Sequence, residues 1–199
     1  MKYIELSIKE LETCSNKFAR KIGTTYKPDC VVFVAEGGFI IGESIAKFFG
    51  VPLYYIEAKR LGNNTKKHLK IFINMLPKFL KVWLRKLELS SGLHKKNVNR
   101  ELEWKEPNKF DYKQVLVVDD SIDTGNTAKQ VMDFLVQKYP NKKFKLATLN
   151  VFTESNKVIS SDFHYFENYI MNLPGSLDSK DTVAFESMYS MYINQSQQK

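Results

Sequence analysis

Several protein classes are excluded by what this chain of 199 residues lacks. Its two cysteines, Cys14 and Cys30, are too few for a disulfide framework or a thiolate metal site, so a reduced, cytoplasmic setting fits. His68, His94 and His164 have no metal-ligand spacing. No run of about 18 apolar residues is present, so no membrane span is expected. The opening MKYIELSIKELETC carries Glu5 and Glu10 and has no apolar core segment, so no signal peptide is expected. There is no internal repeat. Charge imbalance is also missing from most of the chain. Residues 65–96 hold nine Lys/Arg and one acid, Glu88, a surplus that equals the whole net charge of +8.

What remains is a chain with 43% hydrophobic residues, enough for one domain with a sizeable core. Ser7-Ile8-Lys9-Glu10 reads as a capping box, and the apolar spacing of Ile8, Leu11 and Phe18 predicts a helix to about Lys21, ended by Gly23. Val31–Ala35 is nearly continuous β-branched and aromatic residues, the mark of a strand buried on both faces. A turn at Glu36-Gly37-Gly38 leads to a helix over 39–49 that stops at Gly50. Further strands are predicted over 53–57, 115–118 and 146–152, with a helix over 126–138. This alternation implies an α/β fold, a mostly parallel twisted sheet flanked by helices. The single domain of residues 1–199 then carries an insertion over 61–108 and a less regular, aromatic-rich C-terminal hood over 153–199. Residues 195–199 are expected to fray.

The chemistry concentrates in VLVVDDSIDTGNT. A buried strand runs into Asp119 and Asp120, and Asp123 follows three residues later. In open parallel sheets, ligands sit at the carboxyl ends of strands. Thr124, Gly125, Asn126 and Thr127 open the next helix, where unpaired amides and the positive end of the dipole suit a phosphate. Asp119 and Asp120 can accept hydrogen bonds from a vicinal diol, so the stretch suits a ribose 5-phosphate. The simpler alternative is that the paired acids only cap the helix.

This stretch resembles the PRPP-binding signature of type I phosphoribosyltransferases. Ala35-Glu36-Gly37-Gly38 resembles that family's pyrophosphate loop, and Lys59-Arg60 lies where the family often places cations near pyrophosphate. The resemblance implies PRPP as donor and Mg2+ bridging ribose hydroxyls and pyrophosphate, with the metal reaching Asp119 and Asp120 indirectly, through those hydroxyls or water. It makes Asp123 a candidate general base, against the alternative of a loop-ordering aspartate. Glu36 stands where many purine enzymes have Lys or Arg; it is either a second catalytic carboxylate or turned away to pair with Lys59 or Arg60. No lysine follows the fourth strand until Lys157, whereas purine members usually carry one there to read the 6-oxo group. Tyr165, Phe166 and Tyr169 are candidates for stacking on a base, or for hood core.

Within the insertion, residues 66–92 place Leu69, Phe72, Ile73, Leu76, Leu80, Trp83, Leu84 and Leu87 on one stripe, with Lys70, Lys78, Lys81 and Arg85 outside it. Three readings are open: a packed hairpin on this domain or on a second copy, as in a homodimer; an interfacial helix on anionic lipid at the inner membrane face; or a nucleic-acid contact, the weakest, because the aromatics belong to the stripe. The acceptor stays open as well. The missing lysine and the lipid-suited insertion tilt the reading towards a sugar hydroxyl of a bacterial, lipid-linked glycan in polysaccharide assembly. The alternatives are a 6-oxopurine base in salvage and a protein that senses PRPP without turning it over.

Overall fold

The computed structural model describes residues 2–60, 100–107, 110–153 and 158–196. The stripe at 66–92, and with it every reading of that insertion, lies outside the described residues.

Eight strands and four helices are formed among those residues: β1 (Lys2–Glu5), α1 (Ile8–Gly23), β2 (Cys30–Ala35), α2 (Phe39–Phe49), β3 (Leu53–Arg60), β4 (Arg100–Trp104), β5 (Gln114–Ile122), α3 (Asn126–Lys138), β6 (Lys143–Val151), β7 (Phe163–Glu167), β8 (Tyr169–Asn172) and α4 (Thr182–Ser196). The main sheet has the order β4-β3-β2-β5-β6-β7. Its strands are parallel except β4, which runs antiparallel to β3 at the edge.

Alternate residues of each strand feed two cores. Val31, Phe33, Leu116 and Val118 pack with α1 and α2, while Val32, Val34, Val115 and Val117 pack with α3. All of these strand residues are buried, as the unbroken apolar runs require of a sheet covered on both faces. The crossover from β2 through α2 leads outward to β3, and the crossover from β5 through α3 leads the other way to β6. The crossovers therefore diverge from the adjacent parallel strands β2 and β5, and a crevice opens beyond their carboxyl ends.

α2 and α3 begin and end where the sequence signals put them, whereas α1 starts at its expected box but runs through Gly23 to a cap at Thr24. Ser7 and Glu10 form the reciprocal box, with the Ser7 amide donating to Glu10 at 2.9 Å. Gly50 ends α2 at φ 65°, a left-handed conformation that glycine adopts without cost.

The C-terminal region is more regular than its sequence suggests. Residues beyond Ser160 form two strands and a fifteen-residue helix. β8 pairs in parallel with β1, so the hood takes a strand from each end of the chain. Tyr189 and Tyr192 of α4 pack their rings on Phe39 at 5.5 and 5.3 Å, and the Tyr192 hydroxyl donates to the Leu53 carbonyl at 2.8 Å. The strand at the centre of the sheet also extends beyond its apolar core: β5 continues through Ile122, so Asp119 and Asp120 are part of the strand.

Candidate active site

A cavity of about 220 Å³ opens at the carboxyl ends of β2 and β5. Its wall includes Ala35 at the end of β2 and Gly37 just after it, Asp119 to Ile122 of β5, Asp123, Thr124 and Gly125 in the loop that follows, and Thr127 in the first turn of α3. Gly125 sits at the N-cap of α3 with φ 82°, so the turn needs glycine there. Its carbonyl accepts from the Lys129 amide at 2.9 Å, while the amides of the first turn keep no intrahelical partner by construction. That is an anion seat at the positive end of a thirteen-residue helix.

Asp119 is 8% exposed, and Asp120 is part-buried. Asp119 accepts from the Asp120 amide at 3.0 Å, and Asp120 accepts from the Ser121 amide at 2.7 Å. Burial pushes the Asp119 carboxyl well above the usual carboxylate range, with the Asp120 charge adding to it. Asp120 is raised too, first by burial and then by the Asp123 charge. Acids held this way gain from any group that neutralises or hydrogen-bonds them, whether a sugar diol or a hard cation. Asp123 is exposed and accepts from the Ser121 hydroxyl at 2.8 Å.

The loop after β2 lies against these acids. A Cβ added at Gly37 would come within 2.5 Å of the Asp120 carboxyl, so only glycine lets this backbone approach so closely. The peptide between Ala35 and Glu36 is cis. Gly38 is turned inward: its amide donates to the Val34 carbonyl at 3.0 Å, and a Cβ there would strike the Val118 carbonyl oxygen at 2.7 Å. Gly38 therefore supports the loop from behind, and Gly37 is the glycine of the pair that faces the cavity.

The other sequence candidates separate. Lys59 binds Glu57 at 2.9 Å and Glu103 at 2.6 Å, and it does not line the cavity. Arg60 ends β3, and its side chain lies outside the described residues. Glu36 is exposed and does not take Lys59 as a partner; with Glu57 it lies close enough to the Tyr189 phenol for both charges to help burial push that group up. Asn126 is the first residue of α3.

Two residues of this region carry no signal in the sequence. Arg100 opens β4 opposite Arg60 and lines the cavity, its guanidinium donating to the Ala58 carbonyl at 3.0 Å. It lies in the 61–108 insertion, beyond the stripe at 66–92, and only the alternation in RELEW hints at the strand that delivers it. The second is Asn150 of β6, fully buried, whose amide bonds both the hood and Ser121.

Sheet order, glycine-opened loop and paired acids together place a polar, acid-lined cavity at a parallel-sheet switch point. The chain belongs to the phosphoribosyl transferase domain family, whose model matches residues 6–167. Its fold is similar to that of Helicobacter pylori xanthine-guanine-hypoxanthine phosphoribosyltransferase, with a TM-score of 0.63 at 18% identity over 93% of this chain and 99% of that one. A purine phosphoribosyltransferase from Pyrococcus horikoshii gives 0.60 at 21% identity, over 87% of this chain and 94% of that one. A hypothetical protein from Neisseria gonorrhoeae with bound ppGpp gives 0.54 at 16%, over 96% and 97%. No curated protein sequence matches the chain. Among the described residues, no helix is long and apolar enough to cross a membrane.

Proposed function

We propose that the protein is an Mg2+-dependent phosphoribosyltransferase that moves ribose 5-phosphate from PRPP to a purine base and releases pyrophosphate. The observation that carries this reading is the pair of buried Asp119 and part-buried Asp120, both raised, beside the glycine-opened N-terminus of α3. The acids accept from the ribose diol, while the first-turn amides and the Thr124 and Thr127 hydroxyls donate to the 5-phosphate. The Gly37 amide and the Arg100 guanidinium are the donors of the cavity wall suited to pyrophosphate; Lys59, held by two glutamates, is not.

In the transfer, the bond from the anomeric carbon to pyrophosphate oxygen breaks and a bond from that carbon to a ring nitrogen forms. Positive charge develops on the sugar between these events, and the nearby carboxylates stabilise it. The acceptor nitrogen loses a proton, for which exposed Asp123 is the available carboxylate. The oxygen donors of Asp119 and Asp120 suit a hard cation directly or through water, and Mg2+ held there would supply positive charge to offset that of the pyrophosphate.

Support for a base as acceptor comes from the purine-specific names of the similar structures and from the aromatic hood. Tyr165, Phe166 and Tyr169 form one aromatic row, partly buried against the core, with Phe166 4.8 Å from Tyr165 and 5.1 Å from Tyr169. One observation favours a sugar hydroxyl instead: β6 is followed by buried Phe152 and by Thr153, and the sequence has no lysine there until Lys157. The test is PRPP-dependent pyrophosphate release with hypoxanthine, guanine, xanthine and adenine, set against glycan acceptors. Turnover with a glycan alone replaces the purine reading. PRPP binding without turnover of any acceptor supports a sensor.

A further inference from the structure

We infer that Asn150 is a positioning residue that fixes the hood relative to Asp123, and so aligns the acceptor with the donor. The inference rests on the phosphoribosyl-transfer reading above.

Asn150 lies in β6, opposite Ser121 of β5, and is fully buried. A buried primary amide is tolerated when its donors and acceptor are used, and here they are. Its Oδ1 accepts from the Tyr169 amide at 3.1 Å, and its Nδ2 donates back to the Tyr169 carbonyl at 3.0 Å. This two-way clamp holds the backbone at the start of β8, the hood strand. The remaining Nδ2 hydrogen points to the Ser121 hydroxyl at 3.3 Å, and that hydroxyl donates to Asp123 Oδ1 at 2.8 Å.

The order of donors allows one direction only. An ionised Asp123 accepts, so Ser121 must donate to it and accept from Asn150; the Asn150 oxygen is then left for the Tyr169 amide. One side chain thereby links the hood backbone to the candidate base. The turn before it is also tied down, since the Asn168 amide donates to the Val151 carbonyl at 2.9 Å. Core apolar residues fill this sheet on either side, so a buried asparagine in β6 is not needed for packing.

The experiment uses the full chain and ribose 5-phosphate as probe, with Ser121→Ala, Ser121→Thr and Asn150→Leu. Ser121→Ala leaves the clamp on Tyr169 in place and so keeps the inference testable even if Asn150→Leu does not fold. In the wild type, binding of ribose 5-phosphate is expected to slow hydrogen exchange at the Tyr169 amide at least threefold. Ser121→Ala loses that slowing and Ser121→Thr keeps it. In turnover, Ser121→Ala lowers kcat about tenfold with the KM for PRPP within threefold, and Ser121→Thr restores most of the rate. If ribose 5-phosphate binds and Tyr169 exchange is unchanged, the link between hood and Asp123 is overturned while the donor site stands. If ribose 5-phosphate does not bind at all, the donor-site reading falls and the inference falls with it.

Discussion

The donor side of the cavity is nine consecutive residues, Asp119 to Thr127, at one strand end and one helix start. The hood is the opposite case. Its β1 comes from residues 2–5 and its β8 from residues 169–172, and Asp181 reaches across 173 positions to bind the Ile8 amide at 2.7 Å. The donor side is also electrostatically costly, with Asp119 raised by burial and the Asp120 charge, and Asp120 by burial and the Asp123 charge. The hood is apolar and aromatic, with Phe185 buried and Tyr189 stacked on it. On the proposed reading, one region carries chemistry at the expense of stability, and the other gives shape and sets which acceptor fits.

Substitutions on the donor side should therefore act on PRPP, and the largest effects belong there. Asp120→Asn or Asp119→Asn is expected to cut PRPP turnover tenfold or more, at least about 1.4 kcal/mol of transition-state stabilisation, with cooperative unfolding retained. Pyrophosphate release under saturating acceptor measures it, and equal turnover in both variants removes the ribose clamp.

Gly37→Ala comes next. Its new Cβ would stand 2.5 Å from the Asp120 carboxyl, so the loop or the acid must shift. A displacement of that size at a reacting centre costs roughly tenfold in rate or more. A structure of the variant with the Asp120 carboxyl in place and the rate unchanged would show that the close approach has no catalytic use.

These two sites also show what a sequence makes legible. Asp119, Asp120 and the Thr124–Thr127 turn are contiguous, and strand end and helix start can be read from local pattern. The buried runs Val31–Ala35 and Val115–Val118 gave the parallel sheet for the same reason. The boundary of β5 fell short because paired acids resemble a strand end, whereas the ladder to β6 continues at Asp119, Ser121 and Ile122. β1, β4, β7 and β8 are each four or five residues long and owe their existence to distant partners. Asn150 was illegible because its value lies in Tyr169 and Ser121, which only the fold brings to it. Lys59 was misleading: two basic residues at a strand end suggested pyrophosphate, but antiparallel β4 brings Glu103 to the first of them.

A hood substitution should give the reverse pattern. Asp181→Ala removes a charge-assisted bond to the first amide of α1, worth about 1 to 2 kcal/mol. In a chain of this size, that lowers Tm by about 2 to 8 °C. The KM for the acceptor is expected to rise about threefold while the KM for PRPP holds. A larger effect on PRPP than on the acceptor would dissolve the division between the two sides.

The smallest effect is the most direct test of the energetic contrast. Asp119 has a folded-state pKa above its unfolded value of about 3.9, and burial is the main cause. Between those two values the folded chain holds a proton that the unfolded chain has released, so stability falls as pH rises through that window and stays lowered above it. Asn cannot ionise, and its oxygen can still accept from the Asp120 amide that Asp119 binds at 3.0 Å. Asp119→Asn should thus raise Tm of the ligand-free protein at pH 7 by about 2 to 4 °C, the shift that about 1 kcal/mol produces at this length. The gain should vanish near pH 3, where the wild-type acid is protonated in both states. Thermal melts of both proteins across pH 3 to 8 measure it. A variant that melts lower than wild type at pH 7 means that Asp119 is stabilised as an anion by its surroundings, and the donor side then carries no stability cost for PRPP and its cation to relieve.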